Sequence, residues 1–212
     1  MSVPSVDVRT LPALPKVSEA RQRLYETAID LFGTRGYDSV AIKDLTDVLG
    51  ITPPALYGYV SSKQQLLQEL VTLGVSLHRD EILDAILGSQ PTPQAQMSAI
   101  VRAHVLIHLR YPELARVIST EVRHLDPDQV EPISQISKDT DRRVAEVIER
   151  GVRQGVFTIR NLQRTIRMIA DLGIRTAEWS ERPNPSEFEA IAEDYVGAAL
   201  RILCACPLRD EH

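Results

Sequence analysis

The chain has no long apolar run, no disulfide framework and no excess of positive charge, and each shortage removes a class of function. No stretch approaches the ~20 apolar residues that span a bilayer. The segment from Met1 to Lys16 lacks the charged-then-apolar order of a secretion signal, so a cytoplasmic protein without membrane contact is expected. The two cysteines, Cys204 and Cys206, stand too close for an unstrained disulfide and are expected to be buried or inert thiols. Lys and Arg number 24 against 29 Asp and Glu, a net charge of -5 with a pI of about 5.6. That balance offers none of the broad basic surface that usually marks nucleic-acid binders. There is also no HExxH, no glycine-rich phosphate loop and no serine or cysteine nucleophile in a recognisable setting, so no enzyme, catalytic residue or cofactor is expected.

What is present is helix. A chain of 212 residues, 43% of them hydrophobic, can bury a substantial core. Pro4, Pro12 and Pro15 break any period in residues 1–16, which are expected to form a flexible arm. From about Ser18, Leu24, Ala28, Leu31 and Phe32 share one helical face, and Gly36 is placed to end that helix with a positive φ. Ile42, Leu45, Val48 and Leu49 make a second, shorter stripe. Gly50 allows the sharp turn after it, and Ile51 plugs the space between the helices. Thr52 is an N-cap, with Pro53 and Pro54 in the first turn, where amides lack intrahelical partners anyway. The helix from Pro53 to about Tyr59 is therefore short, and Ser62 with Gln65 forms a capping-box pattern before a helix starting at Lys63. Two short helices joined by a tight turn, with a helix on either side, make a helix-turn-helix DNA reader.

These residues resemble the TetR-type (tetracycline-repressor-like) transcriptional regulators. The likeness rests on Leu31-Phe32, Gly36-Tyr37, Ile42, Leu45, Gly50-Ile51-Thr52, Ala55-Leu56-Tyr57, Ser62-Lys63 and Leu66-Leu67, within the first third of the chain. The resemblance implies that the helix from Pro53 enters the major groove of a double-stranded DNA operator and that Lys63 approaches a phosphate. DNA-binding candidates are Ile42, Lys43, Thr52, Pro53, Pro54, Ala55, Tyr57, Gly58, Tyr59 and Lys63. Three positions depart from the family pattern. Ala41 replaces a capping Thr or Ser, Gly58 a polar or basic residue, and Val60 a Phe, so packing at Val60 is expected to be looser or compensated. With so few cations, binding must use backbone amides at helix starts, hydroxyls and two copies of the reader.

The rest reads as one larger helical domain, giving an all-α fold. Its parts are the arm (1–16), the reader (17–64), an effector-binding and dimerisation domain (65–206) and a tail (207–212). A long helix from Lys63 should reach Leu87, since Leu66, Leu70, Leu73 and Leu77 keep its period. Further helices are expected from Thr92-Pro93 to Leu109, from Pro112, from Glu131 to Arg153 with Gly155 as its cap, and from Leu162 to Trp179. A last one begins at Asn184-Pro185 with Glu187 completing a capping box.

The final two helices carry apolar stripes of Ile166, Ile169 and Gly173, then Phe188, Ile191, Ala192, Tyr195, Ala199 and Leu203. Such stripes either close the domain's own core or pair two subunits. The need for two readers, and the family's bundle in these helices, imply a homodimer interface. The stretch from Leu114 to Phe157 also resembles the effector domain of TetR-type regulators of acyl-CoA and steroid breakdown. That likeness implies a small hydrophobic effector, an acyl-CoA or steroid-CoA, that releases a repressor from its operator. Candidate lining residues are Met97, Val101, His104, Val105, His108, Val117, Ile118 and Glu121. The alternative is a helical-bundle metal-dependent enzyme, because Glu121 and His124 have Glu-x-x-His spacing. A di-metal site needs two such motifs, and the chain has one, so no metal is expected.

Overall fold

The computed structural model describes residues 17–179 and 181–204. The expected arm, Cys206 and the tail lie outside the described residues. Among the described residues there are helices and turns but no strand, and no helix is long and apolar enough to cross a membrane. They form two compact units. One holds the described residues up to Gly74 together with Glu113–Val130, and the other holds Val75–Pro112 with the described residues from Glu131 onward.

The first unit is built on local capping. Helix α1 (Glu19–Arg35) starts where Ser18 Oγ accepts the Arg21 N–H at 3.4 Å, and ends at Gly36, whose φ of +81° few side chains tolerate. Helix α2 (Ile42–Leu49) lacks a capping hydroxyl at Ala41. Asp44 supplies half a capping box instead, its Oδ2 accepting the Ala41 N–H at 2.6 Å. Gly50 then turns the chain in the left-handed region, at φ +67° and ψ +32°. Helix α3 (Pro53–Tyr57) is only five residues long, and Thr52 Oγ1 accepts the Ala55 N–H at 3.4 Å. Helix α4 (Lys63–Gly88) begins with Ser62 Oγ accepting the Gln65 N–H at 3.0 Å, while Gln65 Oε1 takes the Ser61 N–H at 2.6 Å. Leu24, Phe32, Leu45, Leu56 and Leu66 close the core. Val60 is enclosed with them at 2% exposure, which fits the compensated packing among the two expectations there.

The segment Glu113–Val130 belongs to this unit. Helix α6 (Pro112–Arg116) runs into a π-helical turn, Val117–Glu121, and a 3-10 turn, Val122–His124. Two glycines make the approach possible. A Cβ at Gly33 would meet Glu113 backbone at 2.8 Å, and one at Gly74 would meet Ile118 Cδ1 at 2.3 Å. The division of the chain within α4, after Gly74, lies further along than the reader boundary expected after residue 64.

In the second unit, helix α5 (Pro93–Arg110) packs along helix α9 (Phe188–Cys204), with Met97, Ile148, Ala192 and Leu203 fully enclosed. Helix α7 (Pro127–Arg153) starts earlier than the expected Glu131. Pro127 takes the first helical position, Gln129 Oε1 accepts the Asp126 N–H at 3.0 Å, and Pro132 sits inside the helix rather than opening it. After Arg153, Gly155 adopts φ +71°, and the N–H groups of Val156 and Phe157 both return to Gly151 O. This lays the Phe157 ring on Gly151, where a Cβ would meet it at 2.1 Å. Helix α8 (Leu162–Ile174) is shorter than expected. A 3-10 turn, Arg175–Glu178, replaces its last part, with Thr176 Oγ1 donating to Gly173 O at 2.8 Å. The Asn184 capping box forms as a 3-10 turn, Pro185–Glu187, ahead of α9, with Glu187 Oε2 accepting the Asn184 N–H at 2.8 Å. Cys204 is exposed rather than buried.

Candidate nucleic-acid interface and effector site

The expected reading surface is contiguous and uncharged. Thr52, Pro53, Pro54, Ala55, Tyr57 and Gly58 are all exposed, and Leu56 alone turns inward, fully buried, to anchor the short helix. Lys43 is exposed on α2, whereas Ile42 and Tyr59 are half-buried at the edge. The start of α3 corrects one expectation. Pro53 and Pro54 carry no N–H, and the Ala55 and Leu56 amides are taken by Thr52 Oγ1 and Thr52 O. A phosphate therefore finds no free amide at that end, and α3 offers side-chain contacts only.

Lys63 is held within the chain. Its Nζ donates to Tyr37 O at 2.5 Å and lies 3.9 Å from the centre of the Tyr37 ring and 5.8 Å from that of Phe32. Burial pulls its pKa down, against the opposing pull of Asp38, Asp44 and Glu121. In the structure this ammonium fixes the turn between α1 and α2. A second pin joins α1 to α4, where Arg21 Nη2 and Tyr25 OH each donate to one oxygen of Glu69 at 2.8 Å.

Glu121, expected in a ligand cavity or a metal site, serves the same turn. It is 6% exposed, its Oε2 accepts the Tyr37 N–H at 3.2 Å, and its Oε1 accepts from Thr120 Oγ1 at 2.8 Å. The His124 ring packs on Tyr37 with centroids 5.0 Å apart, between Asp38 and Glu121 carboxylates at 3.5 and 3.3 Å. Gln64 Nε2 completes the clasp by donating to His124 O at 3.0 Å. The Glu-x-x-His pair thus holds the reader together, and among the described residues no group of three or more His, Cys, Asp or Glu side chains could hold a metal ion.

The lining candidates are divided between the two units. Val117, Ile118 and Glu121 belong to the first unit, whereas Met97, Val101, His104, Val105 and His108 belong to the second. Met97, Val101 and Val105 are closed into the apolar core. His104 and His108 join a residue that sequence reasoning missed, His78 on α4. His78 Nε2 lies 2.8 Å from His104 Nδ1, His104 Nε2 lies 2.9 Å from Ala170 O, and His108 Nδ1 lies 2.6 Å from His104 O. Burial lowers all three pKa values, that of His78 to about 4. No local spacing could have found His78, because its partner lies on another helix.

The expected dimer residues divide by burial. Ile166, Ile169, Gly173, Ala192, Ala199 and Leu203 are closed within their own unit and have almost no surface for a second subunit. At Gly173 the cause is steric, since a Cβ there would lie 2.2 Å from His104 Cδ2. Phe188, Ile191 and Tyr195 pack against that core only in part.

Comparison with known proteins supplies the identity. Residues 24–70 match the family described as bacterial regulatory proteins, tetR family, and residues 90–203 match the tetracyclin repressor-like C-terminal domain. The HTH-type transcriptional repressor KstR2 of Mycolicibacterium smegmatis is 21% identical over 189 residues, covering 85% of this chain and 88% of the repressor. The crystal structure of a tetR-family regulatory protein from Rhodococcus RHA1 superposes with a TM-score of 0.81 at 26% identity, covering 90% of this chain and all of that one. AibR, solved in complex with isovaleryl coenzyme A and operator DNA, superposes with a TM-score of 0.76 at 20% identity over 85% of this chain and 97% of its own. Because the C-terminal match alone takes in more than half of the residues and the N-terminal match falls on the helix-turn-helix, the chain belongs to the TetR family of bacterial transcriptional regulators.

Proposed function

We propose that this regulator is a homodimeric cytoplasmic repressor, not an enzyme, which a small hydrophobic molecule releases from a double-stranded DNA operator. The exposed face of α3, anchored by Leu56 alone, is the observation that carries DNA reading. Two such helices entering successive major grooves of a pseudo-palindromic site would stand about one duplex turn apart, ~34 Å or somewhat more. Subunit pairing is assigned to the surfaces that Phe188, Ile191 and Tyr195 leave open, joined by the exposed Met168 and Trp179. For the effector, a relative named as a repressor and a fold neighbour solved with isovaleryl coenzyme A make acyl-CoA thioesters the first class, with steroid-derived thioesters next. Helix α4 runs from Lys63 to Gly88.

The test is footprinting at the protein's own locus, followed by operator affinity titrated with acyl-CoA and ligand affinity measured with and without operator. Linkage makes the two effects equal, and a coupling of roughly 1–3 kcal/mol suffices for regulation. A thioester that binds tightly yet leaves operator affinity unchanged is not the effector. A monomeric protein that retards no fragment of its locus sinks the whole reading.

Lys63→Met separates a keystone from a phosphate contact. Losing a charged hydrogen bond and a cation–π contact should cost the reader about 1–3 kcal/mol in urea unfolding. The salt dependence of operator binding should keep its slope, whereas a lost phosphate contact would make it shallower by about one unit.

A further inference from the structure

The three buried histidines have a fixed proton pattern. Ala170 O is only an acceptor, so His104 Nε2 carries the proton and His104 Nδ1 is a lone pair. His78 Nε2 must then be the donor in the 2.8 Å contact with His104 Nδ1, which leaves His78 Nδ1 without a proton. His108 Nδ1 donates to His104 O, which leaves His108 Nε2 without one. Burial is the largest cause that disfavours the charged form of each ring, and neighbouring imidazoles add to it at His78 and His104, so the rings stay neutral. His78 and His108 nevertheless keep accessible surface, while His104 is sealed against α8 at Gly173. The ring centroids lie 4.5 to 6.0 Å apart, so the rings that carry the two remaining lone pairs form one compact polar spot within an apolar unit.

We propose that this spot is the polar end of the effector site and that it selects an otherwise apolar molecule bearing an uncharged O–H or N–H donor, in preference to the same skeleton ending in methyl or in a free carboxylate. The inference rests on the reading that the second unit holds the effector. A hydroxyl or amide N–H gains a buried acceptor here. A methyl group leaves that acceptor unmet, and a carboxylate sets its charge against lone pairs while losing its water.

Three probes with one ring system test this at pH 7.5: 2-naphthol, 2-methylnaphthalene and 2-naphthoate. The naphthol should bind two- to tenfold more tightly than the hydrocarbon, about the worth of one net hydrogen bond, and the naphthoate should bind most weakly. His78→Gln keeps an N–H in the place of Nε2 but has no acceptor in the place of Nδ1. His108→Asn keeps the Nδ1-like donor to His104 O but has no acceptor in the place of Nε2. At least one variant should abolish the preference for naphthol while both hold the hydrocarbon within about twofold of wild type, less than one net hydrogen bond is worth. Equal binding of naphthol and hydrocarbon, binding of neither, tightest binding of naphthoate, or an intact preference in both variants would overturn the proposal. Operator affinity measured alongside keeps the two readings apart. Histidine-dependent naphthol binding that never weakens operator binding supports this site and removes effector release. A thioester that releases the operator equally from wild type and both variants overturns this site and leaves release standing.

Discussion

Acidification from pH 7 to pH 5 should lower the stability of the second unit by about 2 kcal/mol. The cause is the histidine cluster. Unfolded, each ring takes a proton near pH 6.5, whereas folded His78 refuses one until about pH 4. Below 6.5 the unfolded chain therefore binds more protons than the folded one, and stability falls as pH drops through that window. Above pH 6.5 the contribution is complete. A difference from 6.5 to about 4 amounts to about 3 kcal/mol over the full range and about 2 kcal/mol between pH 7 and 5. His104 and His108 are also lowered, so they act in the same direction. Asp141, whose pKa burial raises, offsets part of this at the acid end, because the folded state holds its proton at a pH where the unfolded chain releases it. Trp179 is the chain's sole tryptophan and lies in this unit, so its fluorescence in urea reports the relevant transition. The midpoint should fall at pH 5, and His78→Gln should flatten the dependence. A wild-type midpoint unchanged between pH 7 and 5 would show that the rings are not held neutral.

Aspartate at two positions of α9 should give opposite outcomes. Ala199 has no exposed surface and belongs to the unit's own core. Ala199→Asp puts an unpaired carboxylate there, at a cost of several kcal/mol in order of magnitude, and should unfold the second unit. Tyr195 sits one turn earlier and keeps part of its surface. Tyr195→Asp should leave a folded chain that is monomeric and no longer holds operator DNA. Circular dichroism with sedimentation separates these results. A folded, monomeric Ala199→Asp would mean that α9 meets its partner through the face assigned here to the core. A dimeric Tyr195→Asp would place the subunit contact elsewhere.

These two positions also show where sequence reading stops. The stripe on α9 was legible, since its apolar residues recur at helical spacing, and so was the stripe on α8. Which surface each stripe meets was not. A buried stripe and an interface stripe have the same period and composition, and only the placement of α5 along α9 decides between them. The reader was far more legible. The caps at Thr52 and Ser62, the φ of Gly50 and the shortness of α3, which ends at Tyr57 rather than at the expected Tyr59, all follow from residues within four positions of one another. Helix α7 misled for a related reason. Pro132 and Pro127 each carry a start signal, and Gln129 Oε1 on the Asp126 N–H favours the earlier one.

By itself the sequence determined the helical elements, the helix-turn-helix and the identity of the exposed residues on its reading helix, because steric and capping preferences act over a few residues. Only the tertiary structure decided what the charged and titratable side chains do. Lys63 reaches Tyr37 across 26 positions, Glu121 reaches it across 84, and His78 meets His104 across 26. Neither the partner nor the degree of burial is encoded locally, and those two quantities set whether a cation meets a phosphate or a carbonyl, and whether an imidazole is charged or neutral.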